Sequence, residues 1–111
     1  MIIKSKTLIK IITFNFAIAM AFYPFILIRS NSLRFNKILI HHEKIHLRQQ
    51  IEMLLILFYL WYFIEYFIKL TKYKNHRKAY ENISFEKEAF ANERDLDFLK
   101  SRPFWNFLKY L

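Results

Sequence analysis

The chain contains no cysteine and no glycine, and only two of its 111 residues are proline. Without cysteine there is neither a disulfide framework nor a thiolate metal site, so any metal must be held by histidine and carboxylate side chains. Without glycine, phosphate-cradling loops and hairpin turns that need a positive φ lose their usual residue. These absences disfavour nucleotide binding and make helix, which depends least on glycine, the expected main element.

Acidic residues are also scarce, with nine Asp and Glu against 18 Lys and Arg, which gives a formal net charge of +9. Hydrophobic residues make up 55% of the chain, and the bases are spread between apolar stretches. This pattern suits an anionic membrane surface, whereas nucleic-acid-binding modules usually carry a motif that is missing here. We therefore expect membrane lipid and not nucleic acid as a partner. The side of the membrane and the oligomeric state stay open, because bases flank every apolar stretch.

The pentapeptide at residues 42–46 reads H-E-K-I-H and has the H-E-x-x-H pattern. Residues four apart lie on the same face of a helix, so His42 and His46 can both face one Zn²⁺. Glu43, between them, is then aimed at the attacking water as a general base. His41 points about 100° away from His42 and is expected to be a neighbour, not a ligand. The pattern predicts a zinc hydrolase.

A catalytic zinc usually takes three protein ligands, so another histidine or carboxylate is expected downstream. The candidate is Glu86, on a helix where Ala89 would allow close packing against the metal helix. Glu88 opens a similar pattern and is the alternative third ligand. Further residues could orient the ligands or stabilise developing charge, and the candidates are Gln49, Gln50, His76, Arg77 and Tyr80.

These residues resemble the gluzincins, whose third zinc ligand is a Glu from a second helix, commonly in a Glu-x-x-Ala-Asp pattern. The most similar groups are the minigluzincins, the membrane CAAX-prenyl endopeptidases and the BlaR-type peptidases. The resemblance covers residues 23–102 and rests on residues 42–46 and, more weakly, 86–89. It implies zinc-dependent hydrolysis of peptide bonds by a minimal zincin-like helical domain. Where the family pattern has Asp, this chain has Phe90, and Glu93, on the same face as Glu86, could substitute for it.

Residues 1–30 form an apolar N-terminal segment with two open interpretations. Three lysines precede a stretch without charge from Ile11 to Ile28, which is typical of a signal anchor. The alternative is a helix followed by a short strand at about residues 23–29, which contains Pro24 and β-branched residues. The gluzincin resemblance implies that this strand is an edge strand, which would pair with an extended substrate.

Residues 31–111 are expected to form a mainly α-helical domain. Nothing between Leu33 and Leu70 breaks a helix by composition, so one continuous helix is predicted there. Thr71–Asn82 is a basic connector, and a second helix should begin at Ser84 and continue to about Arg102, before Pro103.

Residues 51–70 contain only three charged side chains and superficially qualify as a transmembrane helix. If they crossed a bilayer, Glu86 could return to His42 only by drawing the lysines of the connector through hydrocarbon. We therefore expect a buried or membrane-surface helix and a membrane-associated zinc metallopeptidase. The alternative is a non-enzymatic small helical protein that binds membrane or a partner, with an accidental or degenerate H-E-x-x-H.

Overall fold

The computed structural model describes residues 2–12 and 18–111, which are mainly helical with a small three-stranded sheet. The elements, in chain order, are β1 (Ile2–Lys4), α1 (Lys6–Ile12), β2 (Ala19–Phe22), β3 (Phe25–Ile28), a 3₁₀ helix (Asn31–Phe35), α2 (Lys37–Glu52), α3 (Ile56–Tyr73), α4 (His76–Glu81), α5 (Ser84–Asn92), α6 (Phe98–Ser101) and a second 3₁₀ helix (Asn106–Tyr110). The expectation of a mainly α-helical chain is confirmed.

The sheet has the strand order β1-β3-β2, with β1 parallel and β2 antiparallel to β3. Ile26 and Ile28 of β3 are buried in one apolar cluster with Ile40 of α2, so the sheet packs against the helix that carries His42 and His46. The strand predicted at residues 23–29 exists, but the prediction of an edge strand is wrong. Both sides of β3 are paired, because the chain before it folds back at Tyr23 and Pro24 and β1 adds to the other side. The edge strand that lies against α2 is β2.

The N-terminal segment agrees with a helix followed by strands wherever it is described. Residues 6–12 are helical, and residues 19–22 and 25–28 are extended. The stretch in which a signal anchor was predicted includes residues 13–17, which lie outside the described residues.

The single helix predicted from Leu33 to Leu70 is wrong, because the chain breaks between α2 and α3. The Leu55 N–H bonds the Gln50 carbonyl and the Leu54 N–H bonds the Ile51 carbonyl, which is the Schellman pattern of a helix end. Leu54 adopts a φ of 53°, a left-handed conformation that usually falls to glycine. The two helices are bent by 113° at this point.

Burial of apolar side chains on both sides of the break explains it. Met53 and Phe58 are buried with Ile83, Phe85 and Phe107 in one core cluster. A straight helix would carry Phe58 away from that cluster, so tertiary packing outweighs a left-handed leucine that costs about 1–2 kcal/mol. Among the described residues, no single helix combines the length and apolar composition of a membrane span, whereas α2 and α3 meet that test together, with the bend between them.

Two further boundaries differ from the sequence prediction. The connector is partly helical, since α3 runs to Tyr73 and α4 follows, capped by the Asn75 side chain that accepts from the Lys78 N–H. The second long helix ends at Asn92 and does not reach Arg102. The helix ends beside a contact with α2, in which the His41 ring donates to the backbone carbonyl of Glu93 at 2.9 Å.

Candidate metal centre

His42, His46 and Glu86 lie together in the interior, at the contact between α2 and α5. The Nε2 atoms of His42 and His46 are 3.1 Å and 3.0 Å from the same oxygen, Oε1 of Glu86. One ligand atom from each residue lies within 4.8 Å of the other two, and all three residues are buried. The return of Glu86 to the two histidines, which the metal hypothesis required, is therefore present.

The start of α5 is held by a buried carboxylate of α3. Both Ser84 donors, its N–H at 2.9 Å and its hydroxyl, bond Glu65, whose other contact is the Trp61 indole N–H at 2.8 Å. Glu65 therefore serves as a helix cap supplied from another element, as the free N–H groups of a helix start require. Because α5 begins at Ser84 and Ala89 is fully buried, Glu86 in the first turn can reach α2.

Glu88, the alternative third ligand, lies elsewhere. Its carboxylate pairs with the Arg102 guanidinium and accepts from Gln49 and Asn106. Burial by itself would raise the pKa of Glu88, but the hydrogen bonds from Arg102 and its other partners lower it. Glu88 is thus an ionised, fully buried partner of Arg102 and not a member of the triad.

The other ring nitrogen of each histidine is held by an acceptor. His42 Nδ1 donates to Glu93 Oε2 at 2.8 Å, and His46 Nδ1 donates to Gln49 Oε1 at 2.7 Å. The Gln49 amide nitrogen donates to the Phe85 carbonyl and to Glu88, so its oxygen must face His46. With both Nδ1 atoms donating to acceptors, both Nε2 atoms face the centre and would be the ring nitrogens that offer a lone pair to a metal ion there.

The residues predicted to support the ligands have mixed outcomes. Glu93 is in the position expected of it, and Phe90, where the family pattern has Asp, packs its ring against His42 with 4.6 Å between centroids. Gln50 does not contact the triad in the described structure. It donates to the Ala21 carbonyl and accepts from the Tyr23 N–H, so it holds β2 against α2.

Two tyrosine hydroxyls hydrogen-bond the Glu86 carboxylate. Tyr62 donates to Glu86 Oε2 at 2.7 Å, and Tyr80 also hydrogen-bonds this carboxylate. Burial first, and then the negative charge of Glu86, raises the pKa of both phenols, so both remain neutral donors. Tyr80 was a sequence candidate, whereas Tyr62 was missed, because nothing in an apolar helix marks one tyrosine before the bend of α3 is known. His76 instead contacts Tyr66, at 2.6 Å.

Glu43 lies buried between α2 and the edge strand β2. Burial raises the pKa of Glu43, and the neighbouring His46 and His42, followed by a hydrogen bond from the Ala21 backbone, partly oppose that rise. The Ala21 carbonyl accepts from Tyr59 and Gln50, so one residue of β2 is tied to α2 and α3 at once. The proposed base is thus held against the edge strand.

Without a cation among them, the triad residues are held together by electrostatic attraction between the histidines and the Glu86 carboxylate. Burial opposes ionisation of His46, but the carboxylate of Glu86 raises the pKa of His46 to about 9. Burial alone would raise the pKa of Glu86, yet His46 and then His42 lower it well below its usual range. A divalent cation would take the place of the proton between His46 and Glu86 and balance the two buried carboxylates, Glu43 and Glu86.

The spacing also fits a small cation. Zn–N bonds of about 2.0–2.1 Å in a tetrahedral site put neighbouring ligand atoms about 3.3 Å apart. The observed separations of 3.0–3.1 Å from Glu86 Oε1 would need to open by only a few tenths of an ångström.

No family model, curated protein or solved structure matches the chain.

Proposed function

We propose that this chain is a membrane-associated, zinc-dependent metallopeptidase with a minimal zincin-like fold. His42, His46 and Glu86 hold the metal, and Glu43 is the general base. The observation that carries the proposal is the buried triad, in which both histidines have their Nδ1 protons tied to acceptors and both Nε2 atoms converge on one carboxylate oxygen. Such an arrangement is the donor set of a catalytic zinc with one position left open.

Bound zinc would supply Lewis acidity, which polarises the peptide carbonyl and makes water a nucleophile at neutral pH. Glu43 takes the proton of the attacking water and delivers it to the leaving amine. Its pKa, raised by burial, suits a group that must accept and release a proton in one cycle. Tyr80, a neutral donor beside Glu86, is the candidate to stabilise the negative charge that develops on the carbonyl oxygen.

The substrate strand would pair with β2 and not with β3. The Arg29 N–H bonds the Ile18 carbonyl, so the next residue of β2, Ala19, directs its N–H and C=O away from β3. Ala21, two residues on, has the same orientation, but its backbone already bonds Glu43, Gln50 and Tyr59. An extended peptide that adds to this edge would therefore pair at Ala19, and pairing at Ala21 would require those side chains to leave it.

Metal analysis tests the ligand set. The purified chain should contain one zinc per molecule, and His42→Ala, His46→Ala and Glu86→Ala should each lose it. His76→Ala is the matched control, because His76 is exposed and outside the triad, and it should retain the metal. Full zinc content in Glu86→Ala would contradict the assignment of the third ligand.

Hydrolysis separates the peptidase from a non-enzymatic lipid- or partner-binding protein, an alternative that the exposed apolar face of α3 favours. The probe is a library of quenched fluorescent peptides. Glu43→Gln should abolish cleavage while zinc content stays at one per chain, and Glu81→Gln, at an exposed position of α4, should cleave like the unmodified protein. Cleavage that survives Glu43→Gln would refute the general-base role. A zinc-loaded chain that cleaves no library member would leave the binding protein as the better description.

A further inference from the structure

The side of α3 that faces away from the core is apolar from Ile56 to Ile68. Seven of its residues are between 49% and 79% exposed, and we call them the outer face: Ile56, Leu57, Leu60, Phe63, Ile64, Phe67 and Ile68. Their spacing keeps them on one side of a helix that is 18 residues, or about 27 Å, long. A continuous exposed apolar surface of this kind marks an interaction site.

Positive charge borders this surface at one end. Lys72 and Lys74 follow the outer face along the chain, Lys78 lies on α4, which contacts α3, and all three side chains are exposed. The one acidic residue within α3, Glu65, is buried on the opposite side, where it caps α5. An apolar face with basic residues at its border is complementary to an anionic lipid leaflet.

The inner side of α3 belongs to the candidate metal centre. Tyr62 contacts Glu86 from α3, and Leu60 and Ile64 lie about 160° around the helix from Tyr62. The helix therefore stands between the outer face and the triad, with a thickness of about 10 Å.

We propose that α3 docks in the plane of an anionic membrane surface, with the outer face among the acyl chains and Lys72, Lys74 and Lys78 at the headgroups. Lipid is favoured over a second copy of the chain because two copies, each with a formal charge of +9, would bring their basic borders together. The docking specifies the membrane association in the proposed function and does not depend on the metal chemistry, and it would hold the candidate metal centre one helix thickness from the lipid.

Depth measurements test the in-plane orientation. The chain has no cysteine, so Leu57→Cys and Ile68→Cys each create one site for an environment-sensitive fluorophore. On vesicles that contain phosphatidylglycerol, lipids with nitroxide at a shallow or a deep acyl position should quench both labels with the same depth profile. A label at Asp97→Cys, on the exposed chain before α6, should not be quenched. A helix that crosses the bilayer would separate the two α3 labels by about 16 Å in depth, which would overturn the proposal.

Vesicle flotation tests the two parts of the surface. Leu60→Gln/Ile64→Gln should weaken binding to phosphatidylglycerol vesicles at least about tenfold, and Lys72→Gln/Lys74→Gln should weaken it about tenfold or more. The matched controls are Leu96→Gln/Phe104→Gln and Lys37→Gln/Lys109→Gln, which remove exposed apolar or basic side chains outside α3 and should bind like the unmodified protein.

Circular dichroism melting confirms that each variant is folded, and no activity is needed for the readout, so a failed peptidase assay does not affect it. Equal binding to neutral phosphatidylcholine vesicles, or unchanged binding of both α3 variants, would overturn the proposal. So would a chain that fails to float with vesicles but forms a dimer in light scattering that Leu60→Gln/Ile64→Gln dissociates.

Discussion

Substitution of Glu88 by Gln should destabilise the protein strongly. The carboxylate of Glu88 accepts two hydrogen bonds from Arg102, one from Gln49 and one from Asn106. Breaking a buried ion pair by removal of one partner costs about 3–5 kcal/mol. Arg102 keeps its contact with Glu52 at 2.7 Å, so we expect the lower end, about 3 kcal/mol. For a chain of this length that loss lowers the melting temperature by about 12 °C.

Urea unfolding, followed by circular dichroism, measures this cost in a double-mutant cycle. Arg102→Met in the Glu88→Gln background should restore part of the stability, since no buried guanidinium is then left short of a partner. Glu81→Gln, at an exposed position, should change the free energy of unfolding by less than about 0.5 kcal/mol. If the loss of unfolding free energy in the double variant equals the sum of the losses in the two single variants, the coupling between Glu88 and Arg102 is refuted.

Glu88→Gln also tests whether Glu88 supports metal binding indirectly, through Gln49 and His46. Glu88 anchors the amide of Gln49, and that amide orients His46. Loss of such an indirect partner typically weakens metal binding 10–100-fold. Glu88→Gln should therefore show a zinc dissociation constant raised by about tenfold or more in competition with a chromophoric chelator. An unchanged constant would mean that Gln49 is held well enough by the Phe85 carbonyl alone.

Three further predictions follow from other parts of the structure. Leu54→Gly should raise the free energy of unfolding in urea by about 1 kcal/mol, because glycine adopts the φ of 53° without penalty, and a loss of stability would contradict the reading of the helix end. Glu93→Ala should weaken zinc binding 10–100-fold in the same chelator competition, since His42 loses the acceptor of its Nδ1 proton, while equal affinity would exclude that role. In metal-free protein, the pKa of His46 is raised to about 9 by Glu86, so this pair stabilises the fold fully below pH 6.5, the ordinary pKa of histidine, and the contribution is lost as the pH rises through 9. Urea unfolding with chelator present should show that decline, and a His46→Asn variant with the same decline would assign it to other groups.

The histidines of the centre could be predicted because their relation is local. Residues four apart share a helix face in any helix, so His42 and His46 needed no knowledge of the fold, and the helix from 37 to 52 holds them as expected. Glu93 followed from the same periodicity applied to α5, although it lies just beyond the last residue of that helix.

The choice between Glu86 and Glu88 could not be made locally. Two residues apart, they point about 200° away from each other on a helix, so only one can face the histidines. The start of α5 at Ser84, capped by Glu65 from α3, and the pairing of Glu88 with Arg102 decide between them. Both contacts join residues far apart in sequence, and neither leaves a pattern in the residues around position 86.

The course of the backbone likewise combines features set by neighbouring residues with features set by tertiary packing. Residue types and short spacings were sufficient for the helical class, the strand at residues 25–28 and the helix that carries His42 and His46, because each depends on neighbours along the chain. The bend at Leu54 and the central position of β3 depended on which apolar groups were buried together. Hydrophobic burial is non-directional and acts between distant residues, so a uniformly apolar stretch carries no local mark of where it will turn. That turn brings Tyr62 to Glu86 and leaves the outer face of α3 exposed.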